Sequence, residues 1–295
     1  MLRFMRGPIL GVVSLLVLSL STILWALPLI FVALIKLCIP FPAFRRGCTE
    51  ILNDLASTWI AFNSLAIDSC LAVQWEIHGQ VTLKLSQWYM VIANHQSWTD
   101  IVVLGRVFNN KIPLLKFFLK KQLMYVPLLG VAWWALDFPF MSRHKKSLLA
   151  KKPHLKDADL RATLKACEKF KKVPTTIMNF LEGTRFTPEK HNKQNSPYRF
   201  LLKPKAGGMA YALQTMTGQL TKIIDVTIIY PTKNNSLWNL MCGKIEKIKV
   251  YLREIDVPES LIGNYQDDRD YRVRFQAWLN SIWQEKDKIL SAENI

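Results

Sequence analysis

The chain has 295 residues, a formal net charge of +17 and a mean hydropathy of +0.11. Half of its residues are hydrophobic. Together with the many cations, this argues against an ordinary soluble protein and predicts a basic body attached to a membrane. The five cysteines form no C-x-x-C pair, so the sequence predicts neither a disulfide framework nor a zinc finger.

The N-terminal segment predicts a membrane anchor. No charged residue occurs from Pro8 to Ile35, and about 20 apolar residues are enough to cross a bilayer core. A cleaved secretory signal is the alternative, but the run exceeds the usual signal core of about 7–15 residues. Pro28 allows either one kinked span or a re-entrant helical hairpin. We therefore predict an anchor over residues 1–40 and a second unit over residues 41–295.

Apolar periodicity beyond the anchor predicts helices that alternate with strands. Helical spacing occurs over residues 51–65, 100–108, 158–170, 206–216 and 270–290, and the last of these is predicted to be an amphipathic helix. Short apolar runs typical of strands lie at residues 73–77, 89–93, 133–141, 176–181, 223–230 and 248–252. This alternation indicates an α/β fold with a largely buried central sheet.

The stretch from residue 89 to residue 104 interrupts apolar sequence with polar side chains, including His95 and Asp100. On one helix these two residues would point about 140° apart. They can meet if His95 lies on a loop after a strand and Asp100 lies in the first turn of the next helix. Asp100 would then accept the Nδ1 proton of His95 and leave Nε2 as a general base. The alternative is a core histidine without a reactive task.

A second polar cluster follows the predicted strand at residues 176–181. Gly183 permits close backbone approach to a ligand, and the planar guanidinium of Arg185 suits a phosphate. Glu182 could orient Arg185 or a substrate hydroxyl. A plain turn closed by a Glu–Arg pair is the alternative.

Cations stand at two further candidate positions. The predicted strand at residues 133–141 leads to Arg143, while Lys203 and Lys205 precede two glycines that open a predicted helix. The start of a helix favours anions. Because polar strand ends at one edge of an open α/β sheet form its usual ligand crevice, we expect these side chains to face a common site.

Residues 143–172 hold 11 Lys or Arg and three acidic residues. Such a run is compatible with nucleic acid, anionic lipid headgroups or an acidic acyl carrier, and a solvated helix face is the simplest alternative for residues 157–172. No aromatic residue that could stack on bases occurs between residues 143 and 169. Beside a hydrophobic anchor, the run favours a lipid surface, and we expect no nucleic-acid partner.

Together these motifs resemble those of the glycerolipid acyltransferases (the 1-acylglycerol-3-phosphate, or PlsC-like, family). NHQSWTD at residues 94–100 is similar to the N-H-x4-D signature, and FLEGTRF at residues 180–186 is similar to the F-P-E-G-T-R block. DFPFMSR at residues 137–143 is similar to the block that ends in a phosphate-binding arginine. The resemblance covers about residues 70–235. The whole chain is most similar to bacterial inner-membrane acyltransferases of the subgroup that includes lysocardiolipin acyltransferases.

The resemblance implies a glycerolipid-acyltransferase-type α/β domain over residues 41–295, with a mixed central sheet flanked by helices. It implies His95 as the general base and Asp100 as its orienting partner. The phosphate of the acceptor would be held by Arg143 and Arg185, in a pocket shaped by Glu182 and Gly183, and the chemistry of Lys205 suits a further phosphate ligand. Leu181 replaces the usual proline and Asp137–Phe138 the usual glycine, which leaves the acceptor headgroup open.

The implied reaction is transfer of a fatty acyl group from acyl-CoA or acyl carrier protein to the hydroxyl of a lysophospholipid, without a metal or other cofactor. The implied partners are these substrates and a phospholipid membrane, here the bacterial inner membrane with the domain facing the cytoplasm. Residues 123–136 would line the acyl-chain path, belong to the core or contact the membrane. Two other functions are a membrane-tethered nucleic-acid-binding protein and a metal-dependent hydrolase using His95 and Asp100.

Overall fold

The computed structural model describes residues 7–141, 154–232, 234–261, 263, 265 and 268–293, without the side chains of residues 154–160, 162, 221 and 260. Within these ranges the α-helices are α1 (Gly7–Cys38), α2 (Pro42–Cys70), α3 (Thr99–Phe108), α4 (Leu129–Ala135), α5 (His154–Phe170), α6 (Pro188–Gln194), α7 (Gly207–Thr215), α8 (Leu237–Met241) and α9 (Arg269–Glu293). The strands are β1 (Gln74–His78), β2 (Trp88–Ala93), β3 (Leu115–Phe117), β4 (Leu119–Lys120), β5 (Phe140–Met141), β6 (Thr176–Phe180), β7 (Leu220–Ile229) and β8 (Lys247–Asp256).

Six of these strands form one mixed sheet in the order β1-β8-β7-β2-β6-β3. The pair β7–β8 is antiparallel, and the other neighbours are parallel. Strands β2 and β6 lie side by side with Ala93 opposite Phe180. The loops that follow these two strands therefore leave the same edge of the sheet, which is where both predicted motifs lie.

The two faces of the sheet pack against different helices. Met90 and Ile92 of β2 belong to the core formed with α5, α7 and α9. Val91 and Ala93 point to the opposite face and pack against α2, α3 and α8. This alternation follows from the period of two along a strand, and it explains why β2 is apolar on both sides. The predicted α/β class with a mixed sheet flanked by helices is confirmed.

Helices α1 and α2 form a hairpin that packs on the body. Helix α1 continues through Pro28, so the break that this proline allowed is not found. The N-terminal part of α1 contacts α8 and the residue after it, where Gly11 lies against Trp238 and Cys242. Its C-terminal part packs with α2 and α4. A stripe of apolar side chains on α1 stays exposed, namely Leu16, Leu20, Leu24, Leu27 and Phe31. Among the described helices, α1 alone is long and apolar enough to cross a membrane.

The strand predicted over residues 133–141 is wrong. The structure has α4 at this point, followed by the two-residue strand β5. Ala132 and Ala135 face the α1–α2 hairpin while Trp134 is exposed, so the apolar run has a helical period with apolar residues on both faces. Periodicity alone does not separate such a short helix from a strand. Arg143, which was predicted to follow this strand, lies outside the described residues.

Candidate active site

His95 and Asp100 meet in the geometry that their spacing predicts. His95 lies on the loop between β2 and α3, and Asp100 lies in the first turn of α3. The distance from His95 Nδ1 to Asp100 Oδ2 is 2.8 Å. Because a carboxylate only accepts hydrogen bonds, the imidazole donates through Nδ1–H and keeps its lone pair on Nε2. The His95 side chain is 16% exposed, so part of the imidazole is accessible from outside.

Asp100 is completely buried and has four donors around its carboxylate. Its Oδ2 atom also accepts the backbone N–H groups of Gln96 at 2.6 Å and Ser97 at 2.9 Å. Its Oδ1 atom accepts the hydroxyl of Tyr230 at 2.7 Å. Burial and the adjacent Asp100 raise the pKa of Tyr230 well above its usual value, so the phenol stays a donor. These bonds offset the cost of burying the carboxylate.

Tyr230 was not identified as a site residue from the sequence. It stands one residue beyond β7, at the end of the apolar run predicted over residues 223–230, and its hydroxyl is the one signal that the sequence offers there. A tyrosine at the end of a buried strand usually finds a hydrogen-bond partner. Nothing in the sequence indicated that this partner is Asp100, 130 positions earlier.

Side-chain amides hold the His95 loop against β7. Asn94 pairs with the backbone of Ile228 in both directions: its Nδ2 donates to the carbonyl at 2.9 Å, and its Oδ1 accepts the N–H at 2.8 Å. Gln96 also donates to Ile228 O, at 3.0 Å. Just before α3, Ser97 Oγ accepts the N–H of Thr99 at 3.2 Å, while the N-cap residue Trp98 makes no side-chain cap. The loop is therefore fixed before any ligand binds.

The neighbouring strand β6 supports the other side of His95. The imidazole stacks on the ring of Phe180, with centroids 3.9 Å apart and planes 13° apart. The carbonyl of His95 accepts the N–H of Phe186 at 2.8 Å. The ring is thus constrained by Asp100 at its edge and by Phe180 on its face.

Glu182 is buried beside the loop that carries His95. It is fully buried, and its two oxygens accept the N–H groups of His95 at 2.8 Å and Leu202 at 2.9 Å. These two bonds join the loop that carries His95 to the segment at Leu202, while the predicted role of Glu182 in orienting Arg185 or a substrate hydroxyl stays a prediction. Burial raises the pKa of Glu182 to about 7, although the two amide hydrogen bonds lower it.

Two cationic side chains lie on the exposed side of the site. Gly183 has a φ of +69°, a region that favours glycine, and a methyl group there would approach Lys205 Nζ to 2.9 Å. Arg185 is exposed, and its guanidinium lies 5.5 Å from the ring centroid of Trp98 on the His95 loop. The structure thus brings His95, Gly183, Arg185 and Lys205 to one edge of the sheet.

No group of three or more His, Cys, Asp or Glu residues in the described ranges is arranged like a set of metal ligands. The predicted absence of a cofactor and the roles assigned to the site residues remain predictions.

A family profile described as Acyltransferase matches residues 74–231, which is more than half of the chain and includes His95, Asp100 and Arg185. This chain belongs to the acyltransferase family. Related sequences carry compatible names. Human 1-acyl-sn-glycerol-3-phosphate acyltransferase delta is 27% identical over 217 residues, covering 67% of this acyltransferase and 51% of the human protein.

An uncharacterized acyltransferase of Saccharomyces cerevisiae is 30% identical over 236 residues, which cover 68% of this acyltransferase and 57% of the yeast protein. The chain spans about half the length of the curated relatives it matches. Among solved structures, the 1-acyl-sn-glycerophosphate acyltransferase PlsC of Thermotoga maritima superposes with a TM-score of 0.50 at 18% identity. The match covers 92% of this chain and 95% of the other, and it supports the fold.

Proposed function

We propose that this acyltransferase moves a fatty acyl group from acyl-CoA or acyl carrier protein to the free hydroxyl of a lysophospholipid, such as lysophosphatidic acid. The main observation in favour is the 2.8 Å contact between His95 and a buried Asp100, on a loop whose exposed side carries cations. The names of the human relatives, which specify 1-acyl-sn-glycerol-3-phosphate, support the acceptor class.

In the proposed mechanism, His95 Nε2 accepts the proton of the acceptor hydroxyl, and Asp100 stabilises the imidazolium that forms. The hydroxyl oxygen attacks the thioester carbonyl to give a tetrahedral intermediate. Collapse of this intermediate forms the ester and expels the thiolate, which takes the proton back from Nε2. General-base catalysis of this kind typically contributes about 10²–10⁴ in rate.

Cationic side chains would fix the acceptor. Arg185 can offer a planar pair of donors to a phosphate, and Lys205 a point charge close to the Gly183 backbone. We retain Arg143 as a third proposed ligand. Holding the phosphate positions the reacting hydroxyl by binding rather than by collision.

We further propose a membrane location, with α1 as the anchor. Its exposed apolar stripe supports contact with lipid, and both the acceptor and the product would partition into a bilayer. The bacterial inner membrane, with the domain facing the cytoplasm, is the location that the family resemblance implies.

The test is product analysis with the purified full-length chain in detergent. Lysophosphatidic acid, lysophosphatidylglycerol and lysophosphatidylcholine are each offered with acyl-CoA and with acyl carrier protein, and new phospholipids are identified by mass spectrometry. We expect a diacyl product from lysophosphatidic acid with at least one donor. Release of free fatty acid without any esterified product would contradict acyl transfer to a lysolipid.

A further inference from the structure

A basic pocket lies on residues that the proposed reaction does not use. It has a volume of about 260 Å³ and is formed where the end of α1 and the start of α2 meet α4, the segment after α4, and α5. Its cationic lining residues are Lys36, Arg45, Lys165 and Lys169. Lys165 and Lys169 belong to the basic run at residues 143–172, whose purpose the active site does not explain.

The positive charges in this pocket exceed the negative charge. Asp137 is the carboxylate in the lining, and it pairs with Lys36 Nζ at 3.0 Å and with Lys169 Nζ at 2.7 Å. Arg45 and Lys165 are exposed and have no carboxylate partner among the side chains that the structure describes. Two cationic groups thus remain available to an incoming anion.

A buried lysine adds to the positive electrostatic potential near the pocket. Lys116 of β3 is almost inaccessible, and its ammonium lies 5.5 Å from the ring centroid of Phe170. Its charge interacts with those of Asp137, Lys36 and Lys169. Burial lowers the pKa of Lys116 to about 8, so the group is still mostly charged at neutral pH.

The rest of the lining is apolar and leads outward to exposed apolar surface. Leu37 and Trp134 form part of the wall and are 53% and 46% exposed. Leu34 of α1 and Phe41, just after α1, are also exposed. They extend the exposed apolar stripe of α1 towards the pocket. A tryptophan beside cations is typical of the border between lipid tails and headgroups. The site therefore suits a ligand with a phosphate and an attached apolar part.

We propose that this pocket binds the phosphate headgroup of an anionic phospholipid, whose acyl chains lie along the exposed apolar stripe of α1. A soluble phosphate compound shares the anion chemistry, but it would leave the apolar rim in water. The lipid is therefore the ligand that uses both halves of the site.

The pocket is separate from the catalytic histidine. Phe138 lines it, and the Phe138 ring lies 6.4 Å from that of Phe117, which in turn lies 6.1 Å from the Phe180 ring stacked on His95. Three aromatic rings thus stand between the two sites. A lipid bound here would hold the domain on the membrane, and this role does not depend on catalysis.

The experiment compares charge reversal inside and beside the pocket in the full-length chain. The test variant is Arg45→Glu/Lys165→Glu. The control is Arg46→Glu/Lys172→Glu, which changes exposed cations close in sequence that do not line the pocket. Both variants have the same net charge. Flotation is measured with vesicles of phosphatidylcholine containing phosphatidic acid, at physiological ionic strength, where long-range attraction is screened.

We expect the test variant to bind these vesicles at least about tenfold more weakly than the control variant. Equal losses in both variants, or no loss in either, would overturn the proposal. Saturable binding of inorganic phosphate that only the test variant loses, with vesicle binding unchanged, would assign the pocket to a soluble phosphate compound and also overturn it.

Two further measurements separate loss of lipid binding from loss of folding and from loss of catalysis. Thermal unfolding is recorded for both variants, and if the test variant unfolds early, Lys165→Gln is compared with Lys172→Gln in the same assay. His95→Ala is expected to bind vesicles as the wild type does, since the pocket does not include the imidazole. The proposed lipid binding and the proposed acyl transfer can therefore be refuted independently of each other.

Discussion

Single side chains at the site divide into those that can touch substrate and those that hold them in place. His95 is partly accessible, whereas Asp100 and Glu182 are buried and bind backbone amides of the loop that carries His95. The spacing of His95 and Asp100 was enough to predict their contact. It was not enough to predict the partners of Glu182, because Leu202 reaches it from another part of the chain.

Tyr230→Phe tests the support of Asp100. The variant keeps the buried ring but removes the hydroxyl that donates to Oδ1. A hydrogen bond to a charged group contributes about 1.5–3 kcal/mol, so we expect a fall in kcat of about tenfold or more with little change in KM. Steady-state kinetics in detergent measure this. If kcat is unaffected while the free energy of unfolding falls, Tyr230 has a purely structural role.

Glu182→Gln tests the raised pKa of the buried carboxyl. The pKa rises from the ordinary 4.5 to about 7 in the folded protein, so the folded state binds this proton more tightly than the unfolded chain. Its contribution to stability is fully present below pH 4.5 and is lost as pH rises to about 7.

We expect the stability of the wild type, relative to the glutamine variant, to decline over this range by up to about 1.4 kcal/mol per pH unit. Denaturant unfolding at several pH values gives the difference, with the exposed Glu189→Gln as control. A difference that does not vary between pH 5 and 7 would contradict the raised pKa.

Among the secondary-structure elements, the two parallel strands β2 and β6 position the site because they end side by side. Strands β2 and β6 could be predicted because each apolar run is short, continuous and followed by polar residues. Helix α4 could not be predicted, because its sequence is apolar on both its buried and its exposed sides. Apolar patterns indicate hydrophobic faces, but they do not distinguish a core face from an exposed apolar face.

Gly183→Ala tests the turn that follows β6. The positive φ makes any side chain costly there, by about 1–2 kcal/mol, and the added methyl would meet Lys205. Gly218→Ala is a matched control, since its φ is also positive but no atom lies within 4 Å of the new methyl. We expect similar losses of stability in both variants and an increase in acceptor KM only for Gly183→Ala. An equal KM in both would argue against a role of this turn in binding.

Helix α1 carries the exposed apolar stripe, and Leu20→Ser/Leu24→Ser tests whether it contacts lipid. Burial of a leucine contributes about 1.5–3 kcal/mol, so the double variant should partition into neutral phosphatidylcholine vesicles at least tenfold less. Val273→Ser, at an exposed apolar position on α9, is the control. Unchanged flotation of the double variant would contradict the assignment of α1 as the anchor.

For the whole molecule, the sequence predicted the class of fold and most of the helices and strands. It did not predict the strand order, the pairing of α1 with α2, or the basic pocket, because these depend on contacts between residues far apart in the chain. The candidate active site, the basic pocket and the exposed apolar stripe of α1 all belong to the same folded chain. This arrangement is compatible with the proposed transfer to an acceptor in a lipid surface.

The proposed reaction depends on the His95 imidazole as the base in acyl transfer. The most direct measurement is the initial rate of diacyl product formation from lysophosphatidic acid by His95→Ala, compared with the wild type and with His78→Ala, which changes an exposed histidine on β1. We expect a rate about 10²–10⁴-fold lower for His95→Ala and an unchanged rate for His78→Ala. A folded His95→Ala variant that forms product at the wild-type rate would rule out His95 as the base.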